Sequence, residues 1–121
     1  MKKSFLMTAL MAMTTTAMAS EDKHFDAQMP TSFMQAQQQL VEGKAELAKI
    51  VADGEVSMAE MGKVHQLTYS LENALEFMEE EMEQIQETLE RVHKGSEHGT
   101  NQQVLQDSQQ FLKDSGVLHS K

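Results

Sequence analysis

The sequence predicts an all-α protein, an extended helical hairpin or three-helix arrangement around one long central helix over about residues 57–94. Three observations carry that expectation. Met61, Val64, Thr68, Leu71, Leu75, Met78, Met82, Ile85, Leu89 and Val92 follow one another at alternating steps of three and four, the spacing that keeps side chains on one stripe of an α-helix. From Ser57 to Lys94 there is no Pro and a single Gly, Gly62. Each candidate helix also opens on Ser or Thr with Gln or Glu three positions later: Ser32 with Gln35, Ser57 with Glu60 and Thr100 with Gln103. In that spacing a hydroxyl and a longer polar side chain reciprocally satisfy free amides.

In chain order, Lys2 and Lys3 precede an apolar run from Phe5 to Met13 and a small-x-small end at Ala17-Met18-Ala19. A basic start, a short apolar middle and small residues at the end describe a secretory signal peptide over residues 1–19, cleaved after Ala19. The apolar run is shorter than the about 20 residues a bilayer span requires. With no Cys there is neither a lipid-anchor site nor a disulfide. The expectation is a periplasmic protein with no membrane insertion after cleavage.

The leader takes two of the 10 Lys and Arg and five of the 11 Met, leaving eight basic residues against all 19 Asp and Glu, a net charge of −11. That excess argues against nucleic acid or an anionic membrane surface as partner, since both call for clustered positive charge. About 100 mature residues make one small domain whose core is only modestly stabilising.

Residues 20–31 carry Glu21, Asp22, Lys23, His24, Asp26 and Phe25 without periodicity and are read as a flexible or loosely docked arm. A single helical domain over residues 32–116 follows. Its first helix, about 32–52, places Phe33, Leu40 and Leu47 seven apart with Ala36, Gly43 and Ile50 between them. Asp53-Gly54 is a turn pair that stops it, and Lys49 complements the dipole in its last turn. The second helix runs to Arg91, His93 and Lys94 and is expected to stop at Gly95. Along it Glu87 with Arg91 and Glu90 with Lys94 are four apart in the favourable order. The third, about 100–114, carries Val104, Leu105, Ser108, Phe111 and Leu112 on its apolar side and ends at Ser115-Gly116, with residues 117–121 as a tail.

Both connections are short, so each flanking helix runs antiparallel to the long one from opposite ends, and the two cover different halves of its stripe. Written as coiled-coil a and d positions, the stripe is widened at g by Leu67 and Ala74 in its first half, whereas Glu79, Glu81, Gln86 and Thr88 flank the second. A two-in-seven seam accommodates about one neighbour. The core of a monomer would be thin, and two copies could pair into a four-helix bundle.

The string Val64-His65-Gln66-Leu67-Thr68-Tyr69-Ser70-Leu71-Glu72-Asn73-Ala74-Leu75-Glu76, followed by Val92-His93 and Ser96-Glu97, resembles a family of small exported helical proteins of gammaproteobacteria classed as a domain of unknown function. His24-Phe25 ahead of Pro30 is similar as well. The resemblance implies an exported, helical, non-enzymatic protein and transfers no active site.

Four sets of residues are candidates for chemistry. Met58, Met61 and His65 lie on successive turns and could ligate copper or, through one His and one Met, a b-type haem. Methionine at such positions is more often core filler, and His65 at e lies beside the seam. His93, Glu97 and His98 have ligand types suited to Zn or Ni, but a five-residue spacing across a helix end fixes no geometry. Eight Glu between Glu72 and Glu90 spread over several faces, which reads as solvated surface. Tyr69, Asn73 and Phe77 step by four outside the stripe and are either covered, by the arm with Phe25 or by a bend of the third helix, or form a contact face for a partner helix. No Cys nucleophile, G-x-S-x-G elbow or phosphate-binding Gly loop is present, so catalysis has no support in the sequence. The function expected is binding or protein interaction through the long helix, without catalysis and without a cofactor; the alternative is a copper or haem carrier.

Overall fold

The computed structural model of the protein describes residues 27–119. The leader over 1–19, its cleavage point, the beginning of the arm and the last two residues lie outside them. The described chain forms three α-helices, α1 (Phe33–Ile50), α2 (Met58–His98) and α3 (Asn101–Asp114), followed by a 3-10 turn, Ser115–His119. An all-α architecture around one long helix is what the sequence predicts. At 1.5 Å per residue, the 41 residues of α2 make an unbroken rod about 60 Å long.

The caps form where the spacing placed them, with one displacement. At α2, Ser57 Oγ accepts from the Glu60 amide at 3.3 Å, and the Glu60 carboxylate accepts from the Ser57 amide at 2.8 Å, closing the box. At α1, Ser32 Oγ accepts from the Gln35 amide, but Gln35 reaches back to the amide and hydroxyl of Thr31, one residue earlier than a capping box would have it. At α3, Thr100 Oγ1 accepts from the Gln103 amide. The α1–α2 turn is made at Gly54, whose φ of 81° lies in the left-handed region that a Cβ disfavours.

The far end of α2 differs from expectation. Gly95 does not stop the helix, which continues to His98 with Gly99 as its cap. Gly95 has helical backbone and is buried against α3, where a Cβ would sit 3.2 Å from Val104 Cγ2. The reversal falls at Gly99, whose amide donates to the Gly95 carbonyl at 2.8 Å. A Cβ there would stand 2.8 Å from that same carbonyl oxygen, so only glycine lets the chain fold back so tightly. One glycine of the pair serves packing and the other serves the turn.

Helix α1 packs on the first half of α2 and α3 on the second. Gly43 brings α1 close to Leu67 and Leu71, and Gln39 Nε2 donates across the contact to the Ser70 carbonyl at 2.7 Å and to that of Gln28. On the other half, Arg91 Nε meets Asp107 at 3.3 Å and Arg91 Nη2 donates to Thr88 Oγ1. Arg91 is therefore turned toward α3 and away from Glu87, whereas the Glu90–Lys94 pair forms at 3.1 Å. The core is thin: Phe33, Ala36, Ile50, Ala74 and Ile85 are its buried apolar residues, and no large side chain among the described residues is fully enclosed.

Candidate functional site

Two rows of side chains seven residues apart make up the stripe of α2, and the structure treats them differently. The inner row, Val64, Leu71, Met78, Ile85 and Val92, is half-buried or buried under α1 and α3. In the outer row, Met61, Leu75, Met82 and Leu89 are exposed and Thr68 is half-buried; Leu75 keeps 52 % of its surface. Both short helices lean to the inner side, where the other buried residues of α2, Ala74, Thr88 and Gly95, fall at multiples of seven. Thr88 is 3 % exposed and tolerates this because its hydroxyl donates to the Gln84 carbonyl and accepts from Arg91. A threonine whose hydroxyl is satisfied on its own helix counts as a small apolar residue toward its neighbour.

On α3, Val104, Ser108 and Phe111 turn inward, while Leu105 and Leu112 are exposed, Leu112 to 69 %. Because Asp107 faces Arg91, helical periodicity puts Leu105 and Leu112 on the opposite flank of α3, beside the outer row of α2. On the other side of that row, Glu72, Glu76, Glu79 and Glu83 are exposed and have no ion-pair partner among the described residues. The result is an apolar strip, about 40 Å from Met61 to Leu89 at 1.5 Å per residue, with leucines of α3 on one edge and carboxylates on the other. The sequence reading treats these residues as core. Its missed signal is the apolar arc of α3 from Val104 to Leu112, which is broader than one neighbouring helix can cover.

The candidate contact face of Tyr69, Asn73 and Phe77 lies on another side of α2, and the arm crosses it. Asn73 Nδ2 donates to the Ala27 carbonyl at 3.2 Å, Pro30 is buried, and Tyr69 and Phe77 are half-buried. The described end of the arm is thus docked by the amides of Gln39 and Asn73. Phe25 lies outside the described residues.

Met58, Met61 and His65 do share one edge of α2, but Met58 is 89 % exposed and Met61 and His65 also stand in solvent. His65 Nε2 lies 3.3 Å from the Tyr69 hydroxyl with the rings edge to face. Among the described residues nothing encloses these groups as a porphyrin pocket would. His93, Glu97 and His98, expected to bracket a helix end, all lie on α2 itself, with Glu97 3.6 Å from His93 and 3.9 Å from His98. Among the described residues no three His, Cys, Asp or Glu side chains gather as a metal site.

A match to one family model extends over residues 1–120, almost the whole chain. The protein belongs to the family of unknown function DUF6746. No curated protein and no solved structure matches it. Membership in DUF6746 agrees with the resemblance drawn from the Val64–Glu76 string. No helix of this DUF6746 chain, among the described residues, is long and apolar enough to cross a membrane.

Proposed function

We propose that the protein is a non-enzymatic interaction module, exported to the periplasm by residues 1–19, that holds a protein partner along α2. The observation that supports this reading is the outer row: four large apolar side chains on one seven-residue repeat, Met61, Leu75, Met82 and Leu89, that neither α1 nor α3 covers. Burying apolar surface yields about 25 cal/mol per Å², and a contiguous exposed strip rimmed by charge marks a contact surface more often than scattered apolar residues do. Heptad spacing on a rigid rod fits a helical partner, which meets such a row with its own.

The test is photo-crosslinking in the native cell envelope. A benzophenone side chain in place of Leu75 should yield one discrete adduct, and the same group in place of Ala45, exposed on α1, should not. Equal capture at both positions, or none at either, would discard the reading. Release of the protein by osmotic shock, with its N-terminus at Ser20, checks the export step separately.

A further inference from the structure

Resting on the interaction reading, we infer that the occupant of the outer row is a cationic amphipathic helix, one whose apolar seam is flanked by Lys or Arg. The apolar half of the inference comes from Leu75, Met82 and Leu89 on α2 with Leu105 and Leu112 on α3, all exposed. The electrostatic half comes from the edge beside them. Between Glu72 and Glu90 α2 carries eight Glu and no Lys or Arg, and Glu90 alone among the eight has an ion-pair partner, Lys94, among the described residues.

Position along the helix decides which of these carboxylates a docked helix would meet. Counting from Leu75 as a, Glu72 and Glu79 fall at e and Glu76 and Glu83 at b, on the side of the outer row away from α1 and α3. A helix lying over Leu75 and Met82 would therefore run with its flank against four exposed carboxylates. Basic side chains there would be attracted from both turns at once, and the like-charge strain along α2 would be relieved by the same contact. Met61 and Met82 suit the task because an unbranched thioether adapts to partners of differing shape.

A second copy of the chain fits less well. Pairing two outer rows antiparallel about Leu75 sets Glu72 of one against Glu79 of the other, and centring the pair on Met82 still lays two Glu72–Glu90 stretches side by side. Like charges placed directly opposite disfavour association.

The experiment is a calorimetric titration of the mature protein with an amphipathic helix of about 20 residues built from Leu and Lys, alongside its Leu and Glu counterpart. The Leu–Lys helix should bind and the Leu–Glu helix should not, with affinity falling at least about tenfold as salt rises from low ionic strength to about 0.5 M. Leu75→Gln with Met82→Gln should weaken binding by about tenfold or more, as truncating central anchors does. Glu72, Glu76, Glu79 and Glu83 changed together to Gln should weaken it comparably and flatten the salt response. These positions are exposed, and a cooperative melting curve with native helical circular dichroism confirms that the variants fold. Equal or tighter binding of the Leu–Glu helix, lost in the Leu75→Gln variant, overturns the cationic class and leaves the interaction reading standing. A dimer that Leu75→Gln dissociates, with no helix bound, gives the row to a second copy and overturns the inference. If neither helix binds and the chain stays monomeric, the inference and the interaction reading fall together.

Discussion

Ser57 and Glu60 tie the start of α2 with reciprocal hydrogen bonds, and the tie is titratable. The Glu60 carboxylate accepts from the Ser57 amide and hydroxyl, both at 2.8 Å. The backbone bond first, then the hydroxyl bond, hold its pKa below the usual carboxylate value; Lys63 adds a smaller pull, and burial opposes weakly. A folded-state pKa below the unfolded one contributes stability that is fully present above the unfolded value and is lost as pH falls through the folded one. Glu60→Gln keeps an acceptor but cannot titrate, so the melting temperature of the native protein should exceed that of the variant at neutral pH. The gap should close below about pH 4, where an ordinary Glu takes up its proton. A gap independent of pH would show that the carboxylate charge contributes nothing. Ser57→Ala removes the other half of the tie and should cost about 1 kcal/mol, read from urea unfolding.

Among the elements, the glycines of α1 and α2 separate helix propensity from packing. At Gly62 an added Cβ would meet nothing within 4 Å, so Gly62→Ala should stabilise by about 1 kcal/mol, the propensity difference in an open helix position. At Gly43 the Cβ would lie 2.6 Å from Leu71 Cδ2 and 3.1 Å from its Cγ. Leu71 belongs to the inner row and has to move with its whole branched end, and overpacking of this kind costs about 1–3 kcal/mol. That exceeds the propensity gain, so Gly43→Ala should be destabilising by denaturant melts; a gain equal to that at Gly62 would mean that α1 and α2 are not in close contact there. The same contrast explains how much was legible in advance. Periodicity and caps located all three helices because those signals are local: Ser32, Ser57 and Thr100 each bond within three residues. Glycine is used both for turns and for close helix contact, so spacing alone marks Gly95 as a stop, and only the position of Val104 distinguishes the two. The bare outer row was not legible either. A three-four repeat states which residues are apolar, but Leu75 and Met78 look alike until Gly43, Gly95 and Thr88 fix the side on which the neighbours lie. Aromatic side chains outside the stripe point to a cover over Tyr69, Asn73 and Phe77, and the arm supplies one; the bonds that dock it, Asn73 to Ala27 and Gln39 to Gln28, had no signal, since a side-chain amide bonding a distant carbonyl leaves no spacing to read.

Across the whole molecule, a thin core is set against a large uncompensated charge, and the balance can be shifted by salt alone. On α2, Glu72–Glu76, Glu76–Glu80, Glu79–Glu83 and Glu83–Glu87 are like-charged pairs four residues apart, each costing about 0.2–0.5 kcal/mol at low ionic strength, or about 1–2 kcal/mol together. Opposing this, Arg91–Asp107 and Lys94–Glu90 are partly or well exposed ion pairs, of a kind worth about 0–1 kcal/mol each and often nothing measurable. Screening weakens both sets, since the Debye length falls from about 10 Å at 0.1 M to about 3 Å at 1 M. With the repulsive set the larger, the melting temperature should rise with NaCl, by about 4–8 °C for each kcal/mol in a domain of this size. Changing Glu76, Glu79 and Glu83 to Gln should raise it at low salt and remove most of the salt dependence. A melting temperature that is flat or falls with NaCl in the native protein would mean that these two ion pairs outweigh the repulsion along α2, and the acidic edge would then hold no strain for a basic partner to relieve.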